Sequence, residues 1–226
     1  VWLRHPWRDD YWAEGSVRDH IERIDIPVYA IGGWADAYSN AVPRLVANLT
    51  APAKGLIGPW AHTFPHLGVP GPAIGFLQEA VRWWDKWLKG IDNGIEHEPA
   101  LRVWMQEAVK PAPQYETMPG RWVAEPVWPS PDIEHRTLYL GADGCSEAPS
   151  RPEPMIVASP QSCGIRGGEW CAFGSDGEMP RDQRPDDGFS LTWDTPRLTD
   201  RLEILGAPVV RLVLRPEAPN ANVIVR

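Results

Sequence analysis

The chain has 226 residues, of which 43% are hydrophobic, and a formal net charge of -8. This length can bury a sizeable core, and the excess of acidic residues without any basic cluster argues against nucleic-acid binding. Apolar runs such as Ile204 to Leu214 are broken by Gly206, Pro208 and Arg211. They are too short to span a bilayer, so we predict no membrane segment.

The 25 prolines and 13 tryptophans favour many short strands and turns over a helical bundle. The cysteines, Cys145, Cys163 and Cys171, are too few for a disulfide framework and include no Cys-x-x-Cys pair typical of zinc sites. We interpret them as unpaired thiols, with a single bridge between Cys163 and Cys171 as the alternative. The sequence predicts no metal site and no organic cofactor.

The first half of the chain alternates between strand and helix patterns. Residues 27–31 form a short apolar run that ends at two glycines, and residues 54–58 form another. Between them, an amphipathic helix can begin at Ser39 or Asn40, with Pro43 in its first turn. A strand, a crossover helix and a second strand predict parallel pairing within a doubly wound α/β sheet.

The clearest helix pattern covers residues 76–89 and is followed by Gly90 in the position of a C-terminal cap. From about residue 97 the sequence pattern changes to short strand candidates separated by segments rich in proline and glycine. We therefore predict two domains, an α/β part over residues 1–96 and an all-β sandwich or jelly roll over residues 97–226. The strand candidates of the second part are residues 101–105, 137–140, 190–193, 209–214 and 222–226.

Two polar residues follow the two predicted parallel strands. Asp36 lies in the sequence Gly-Gly-Trp-Ala-Asp, and His62 lies in Gly-Pro-Trp-Ala-His. Open parallel sheets bind ligands beyond the carboxyl ends of their strands, where neighbouring loops meet. A carboxylate there can orient an imidazole and leave its second nitrogen free to accept a proton. The order acid before base is also that of α/β-hydrolases.

Other interpretations of these residues remain open on the pattern alone. Asp36 can be a turn or helix-capping residue, and His62 can be a loop histidine that donates to backbone carbonyls. His66, four residues further on, is the rival base.

Four motifs in chain order resemble the bacterial cocaine-esterase-like and X-prolyl dipeptidyl-peptidase family, which includes α-amino-acid ester hydrolases. They are Gly-Gly-Trp-Ala-Asp36-Ala-Tyr, Gly-Pro-Trp-Ala-His62, the helix over residues 76–90 and the segment Pro180 to Leu191. The resemblance covers nearly the whole chain. It implies an α/β-hydrolase domain followed by a C-terminal jelly-roll (galactose-binding-like) domain.

The resemblance also implies roles for individual residues. Asp36 would be the acid and His62 the base of a Ser-Asp-His triad, and Tyr38 would point toward the acyl pocket, with simple packing as its alternative role. The expected activity is hydrolysis of small esters, amides or short peptides through an acyl-enzyme. Bacterial cytoplasm is the expected compartment, and a homodimer is a further expectation.

The nucleophile of such a triad is missing from the sequence. No serine has glycine at both second-neighbour positions, and the nearest imitation, Gly174-Ser-Asp-Gly177, follows the histidine and reads as a turn. We therefore predict that the chain is a fragment of a longer hydrolase, truncated within its jelly roll and inactive in isolation. The alternative is a carbohydrate- or ligand-binding β-sandwich attached to a non-catalytic hydrolase remnant.

Overall fold

The structure is a computed structural model that describes residues 1–149, 151, 153–219 and 221–226. Short helices and strands alternate along the first two thirds of the chain, and regular structure is sparse after residue 146. The helices are α1 (Asp10–Glu14), α2 (Ala41–Asn48), α3 (Phe76–Lys89) and α4 (Arg184–Asp187). The strands are β1 (Val28–Gly33), β2 (Ala53–Gly58), β3 (Leu101–Gln106), β4 (Gly120–Glu125), β5 (Tyr139–Gly141) and β6 (Gly144–Ser146).

The main sheet has four strands in the order β1-β2-β3-β4. The predicted strand, helix and strand are confirmed, since β1 and β2 are parallel neighbours and α2 connects them. Helix α2 buries Val42 and Val46 against these strands. Asn40 precedes the helix, but its side chain makes no capping hydrogen bond. The parallel register brings the carboxyl ends of β1 and β2 to the same edge of the sheet.

Helix α3 has the predicted bounds, and Gly90 ends it in the left-handed conformation with φ of 70°. A polar cluster ties the helix to the sheet, because Arg102 of β3 donates to Glu79 at 2.8 Å and to the Tyr29 hydroxyl at 2.6 Å. Burial raises the pKa of Tyr29 to about 12. Burial acts to raise the pKa of Glu79 as well, but the hydrogen bond and charge of Arg102 outweigh it and lower that pKa.

Strand β3 lies in a different sheet from the one that the sequence pattern suggests. Its short strand pattern predicts the start of the all-β part, whereas the strand pairs in parallel with β2 and antiparallel with β4. Leu101 and Val103 are fully buried beside Ile57. An alternating apolar pattern predicts that one face of a strand is buried, but it does not predict which sheet the strand joins. The sequence therefore does not reveal that β3 belongs to the same sheet as β2. The domain boundary at residue 97 stays a prediction.

Among its described residues, the later part of the chain contains one small hairpin, β5 with β6, where a strand is predicted near residues 137–140. No strand forms at residues 190–193, 209–214 or 222–226 within the described part of the chain. A strand needs a neighbour to complete its backbone hydrogen bonds, and these segments have none among the described residues. Val209 and Val213 are exposed as a result. The jelly roll is therefore not confirmed and stays a prediction.

This later part nevertheless contacts the sheet. Leu205 packs against the buried core cluster of the sheet, and Arg121 of β4 donates to Glu203 at 2.6 Å. Among the described residues, the helices are too short or too polar to cross a lipid bilayer.

Candidate active site

The loop that carries Asp36 is held against the loop that carries His62 by backbone contacts. Beyond the ends of β1 and β2, Trp34 donates its N–H to the Gly58 carbonyl at 2.9 Å, and Ala35 donates to the Trp60 carbonyl at 3.1 Å. A β-carbon on Gly33 would lie 1.9 Å from that Trp60 oxygen. Only glycine allows this approach, so the sequence Gly-Gly-Trp-Ala-Asp is what lets the two loops meet.

Trp60 anchors the second loop. Its side chain is 1% exposed, and its indole N–H donates to the Pro72 carbonyl at 2.8 Å. The ring lies directly beside Gly58 and Gly68, neither of which has a side chain to displace it. A large buried ring with a satisfied polar atom is a rigid anchor. It fixes the backbone two residues before His62.

Asp36 and His62 form the pair that sequence analysis predicts. The His62 Nδ1 atom lies 2.9 Å from Asp36 Oδ2, while Asp36 Oδ1 accepts the Tyr38 N–H at 2.9 Å. The Asp36 side chain is 13% exposed and the His62 side chain 44% exposed. With Asp36 ionised, Nδ1 carries the proton and donates it. No described residue bonds to His62 Nε2, so this nitrogen can accept a proton from outside.

Aromatic rings surround the exposed side of His62. Tyr38 lies with its ring centroid 5.8 Å from the imidazole, and Phe173 meets the imidazole edge-on at 5.3 Å. Trp170 packs against Tyr38 at 5.6 Å. Tyr38 thus lies beside the pair and remains 55% exposed. Its orientation toward an acyl pocket stays a prediction.

The loop that contributes Trp170 and Phe173 returns from far along the chain. The His62 N–H donates to the Ala172 carbonyl at 2.7 Å, and Ala172 is buried with Ala61 and Met179. We name residues 170–178 the return loop. Sequence analysis does not place it at the site, because nothing in its local pattern specifies contact with residues more than 100 positions earlier.

A carboxylate and a glycine fix the shape of the return loop. Glu178 accepts the N–H groups of Phe173 at 2.7 Å and Ser175 at 2.8 Å. These backbone hydrogen bonds, that of Ser175 first, lower the pKa of Glu178. Gly174 has a φ of 95°, a conformation that favours glycine. A β-carbon added at Gly174 would lie 2.9 Å from the β-carbon of Val69. The turn predicted for Gly174 to Gly177 is confirmed.

The return loop also brings Cys171 beside the pair. Ligand atoms of Asp36, His62 and Cys171 all lie within 4.8 Å of one another. All three cysteines are free, so the alternative bridge between Cys163 and Cys171 is absent. In the sequence Cys171 is an unremarkable thiol, because its neighbours in space come from other parts of the chain.

His66, the rival base, lies apart from Asp36. It belongs to a short 3₁₀ turn, Pro65–Leu67, and its ring stacks on Phe76 with centroids 5.9 Å apart. Its Nδ1 atom is buried and has no hydrogen-bond partner among the described residues. The structure therefore pairs Asp36 with His62 and not with His66.

Comparison with known proteins gives two family matches in chain order. Residues 1–64, which include Asp36 and His62, match the X-Pro dipeptidyl-peptidase (S15 family). Residues 93–226 match the X-Pro dipeptidyl-peptidase C-terminal non-catalytic domain.

Two curated mycobacterial proteins, from Mycobacterium bovis and Mycobacterium tuberculosis, are also similar, and each bears the name "Putative serine esterase". Each is 26% identical over 218 residues, which cover 91% of this chain and 32% of the relative. The chain thus spans about a third of the length of these relatives. The match to the C-terminal domain alone covers more than half of the chain. The resemblance noted in the sequence is confirmed, and the chain belongs to the X-Pro dipeptidyl-peptidase family of serine hydrolases.

Proposed function

We propose that this chain supplies the acid, Asp36, and the base, His62, of a Ser-Asp-His triad. The complete enzyme would cleave esters or amides, of acyl or X-prolyl dipeptidyl type, through an acyl-enzyme. The observation that carries the proposal is the 2.9 Å hydrogen bond between Asp36 and His62 Nδ1, at the edge of a parallel sheet.

The proposed proton transfer follows from the different roles of the two ring nitrogens of His62. Asp36 holds the proton on Nδ1, so Nε2 carries a lone pair that accepts the proton of an attacking serine hydroxyl. The resulting imidazolium is stabilised by the largely buried carboxylate, since Asp36 is only 13% exposed. His62 then returns the proton to the departing alcohol or amine.

The serine and the oxyanion donors would come from residues outside this chain. No serine here has the Gly-x-Ser-x-Gly context, and the curated relatives are about three times as long as the region they share with it. A base without its nucleophile and oxyanion hole retains almost none of the rate enhancement. We therefore expect the isolated chain to be inactive.

Tyr38 is the proposed substrate-binding residue. It lies beside His62 and is half exposed, and its ring packs on Trp170 of the return loop. Such a surface suits the apolar part of a small ester, an amide or an X-prolyl dipeptide.

We further infer that the chain after β4, residues 126–226, belongs to an all-β domain of jelly-roll type, as the short strand patterns of this region favour. Its support is the match of residues 93–226 to the C-terminal domain of the family. In this proposal, the β-domain supplies the return loop that covers His62.

The test is hydrolysis by the full-length protein of a short p-nitrophenyl ester and of an X-prolyl p-nitroanilide. We expect His62→Ala and Asp36→Asn each to lower kcat by about 10⁴-fold or more, because base and orienting acid act together. His66→Ala is the matched control and should retain turnover, since His66 lies apart from the pair. Unchanged turnover in His62→Ala, with folding verified by circular dichroism, would end the proposal. Glycan binding without hydrolysis would favour the binding-protein alternative.

A further inference from the structure

Cys171 lies beside Asp36 and His62, and the three side chains together offer three atoms that can bind a metal ion. A carboxylate oxygen of Asp36, a ring nitrogen of His62 and the sulfur of Cys171 lie within 4.8 Å of one another. All three residues come from different segments. The hydrogen bond from the His62 N–H to the Ala172 carbonyl joins two of them, and that from Ala35 to the Trp60 carbonyl joins the third. The arrangement thus depends on tertiary structure and is invisible in the spacing of the sequence.

We propose that Asp36, His62 and Cys171 form an inhibitory binding site for Zn²⁺. The ion would bind one oxygen, one nitrogen and one sulfur, and solvent would complete a tetrahedron. This proposal concerns metal binding by the chain itself. Only its inhibitory consequence rests on the proposed function.

The donor chemistry selects the metal. Thiolate and imidazole ligands suit zinc and similar borderline metals, whereas Mg²⁺ and Ca²⁺ prefer sites made of oxygen atoms. In a tetrahedral zinc site with bonds of about 2.0–2.3 Å, the donor atoms lie about 3.5 Å apart. No separation exceeds 4.8 Å, so none needs to close by more than about 1.3 Å, which side-chain rotation of the partly exposed His62 and Cys171 can provide.

Access to the site is open on one side. The His62 side chain is 44% exposed, and Cys171 is half-buried between the exposed Trp170 and the buried Ala172. On binding, the Cys171 thiol releases its proton to solvent as the sulfur–zinc bond forms, and no oxidation state changes.

Either mode of histidine coordination would stop hydrolysis. Binding through Nδ1 replaces the hydrogen bond to Asp36, and binding through Nε2 occupies the atom that accepts the serine proton. The metal therefore competes with the catalytic use of the same imidazole.

Cobalt titration of the metal-free protein tests the site directly. We expect one Co²⁺ per chain, with the near-ultraviolet absorption of a thiolate–cobalt bond, and displacement by Zn²⁺ but not by Mg²⁺. Cys171→Ser should abolish this absorption and weaken binding at least about tenfold, whereas the matched control Cys145→Ser should change neither. Absence of the thiolate band in the wild type, or its persistence in Cys171→Ser, would overturn the proposal.

A second measurement needs no variant. Zn²⁺ should protect Cys171 from iodoacetamide while Cys145 continues to react, as peptide mapping would reveal. Equal labelling of Cys171 with and without Zn²⁺ contradicts the site. Inhibition is then measured on the full-length protein: chelators should reverse it, and Cys171→Ser should require more Zn²⁺ for the same inhibition. An inactive protein that still binds Co²⁺ through Cys171 would contradict the proposed function but not the metal site.

Discussion

Two regions of the molecule reach the candidate active site by different means. Residues 28–125 form a four-stranded sheet with a closed apolar core, and backbone hydrogen bonds beyond the ends of β1 and β2 hold Asp36 against His62. The return loop, residues 170–178, pairs with no strand in the described part of the chain and is held by a few separate contacts. The first arrangement depends on the pairing of β1 with β2, while the second depends on a few separate contacts.

This difference predicts different responses to mutation. A change that separates the two strand-end loops should disrupt the acid–base pair itself. A change in the return loop should alter only the surroundings of His62 and leave the sheet intact.

Among substitutions outside the acid–base pair, Gly33→Ala should have the largest effect. The new β-carbon would meet the Trp60 carbonyl oxygen at 1.9 Å, so the backbone must move and the hydrogen bond from Ala35 to Trp60 is lost. We expect kcat/KM of the full-length protein to fall about 100-fold, because a displacement of about 1 Å is enough for that. The free energy of unfolding should fall by up to about 3 kcal/mol, measured by urea denaturation.

The matched control is Gly15→Ala, since a β-carbon at Gly15 would meet nothing within 4 Å. It should retain both stability and turnover. Wild-type activity in Gly33→Ala would show that close approach of the two loops is not needed.

Glu79→Gln should weaken the sheet without touching the candidate site. The substitution keeps the shape but removes the charge that pairs with Arg102 at 2.8 Å. We expect a loss of about 1–2 kcal/mol in the free energy of unfolding at neutral pH. The folded-state pKa of Glu79 is lowered, so its contribution is fully present above its ordinary pKa of 4.5. The contribution is lost as the pH falls through the lowered value, and the two proteins should then converge in stability.

Glu147→Gln provides the control for that measurement. Its ion pair with Arg136 is exposed, so no measurable change in stability is expected. A constant stability difference between wild type and Glu79→Gln from neutral to strongly acidic pH would contradict the role of the ionised carboxylate.

Glu178→Gln should have the smallest effect and should be confined to the return loop. The N–H groups of Phe173 and Ser175 would lose a charged acceptor, so their hydrogen exchange should accelerate. Turnover should change only several-fold, because Asp36 and His62 stay in place. Glu169→Gln, an exposed change nearby without a side-chain hydrogen bond among the described residues, should leave exchange unaltered. Faster exchange in β1 or β2 of Glu178→Gln would contradict the independence of the two regions.

The sequence predicts the first region well because its signals are local or follow from one topological rule. The apolar runs and helical periodicity identify β1, α2, β2 and α3, and parallel pairing then brings Asp36 near His62. The sequence does not predict which sheet contains β3. The alternating burial of Leu101 and Val103 does not specify the strand that lies beside them.

The second region is harder to predict for a physical reason. Trp170, Cys171 and Phe173 reach His62 through contacts between distant segments, which leave no periodic pattern in the chain. The available signal is the family motif over residues 180–191, which follows the return loop but does not reveal its contacts.

The central claim is that Asp36 and His62 work as one catalytic unit, and a double-mutant cycle on kcat/KM of the full-length protein tests it most directly. The cycle compares wild type, Asp36→Asn, His62→Ala and the double variant on one ester substrate. Because Asp36 acts only through the imidazole, Asp36→Asn should cause a large loss in the wild type but almost none once His62 is alanine. Equal fold-losses in the two backgrounds would show that the residues act independently and would contradict the account.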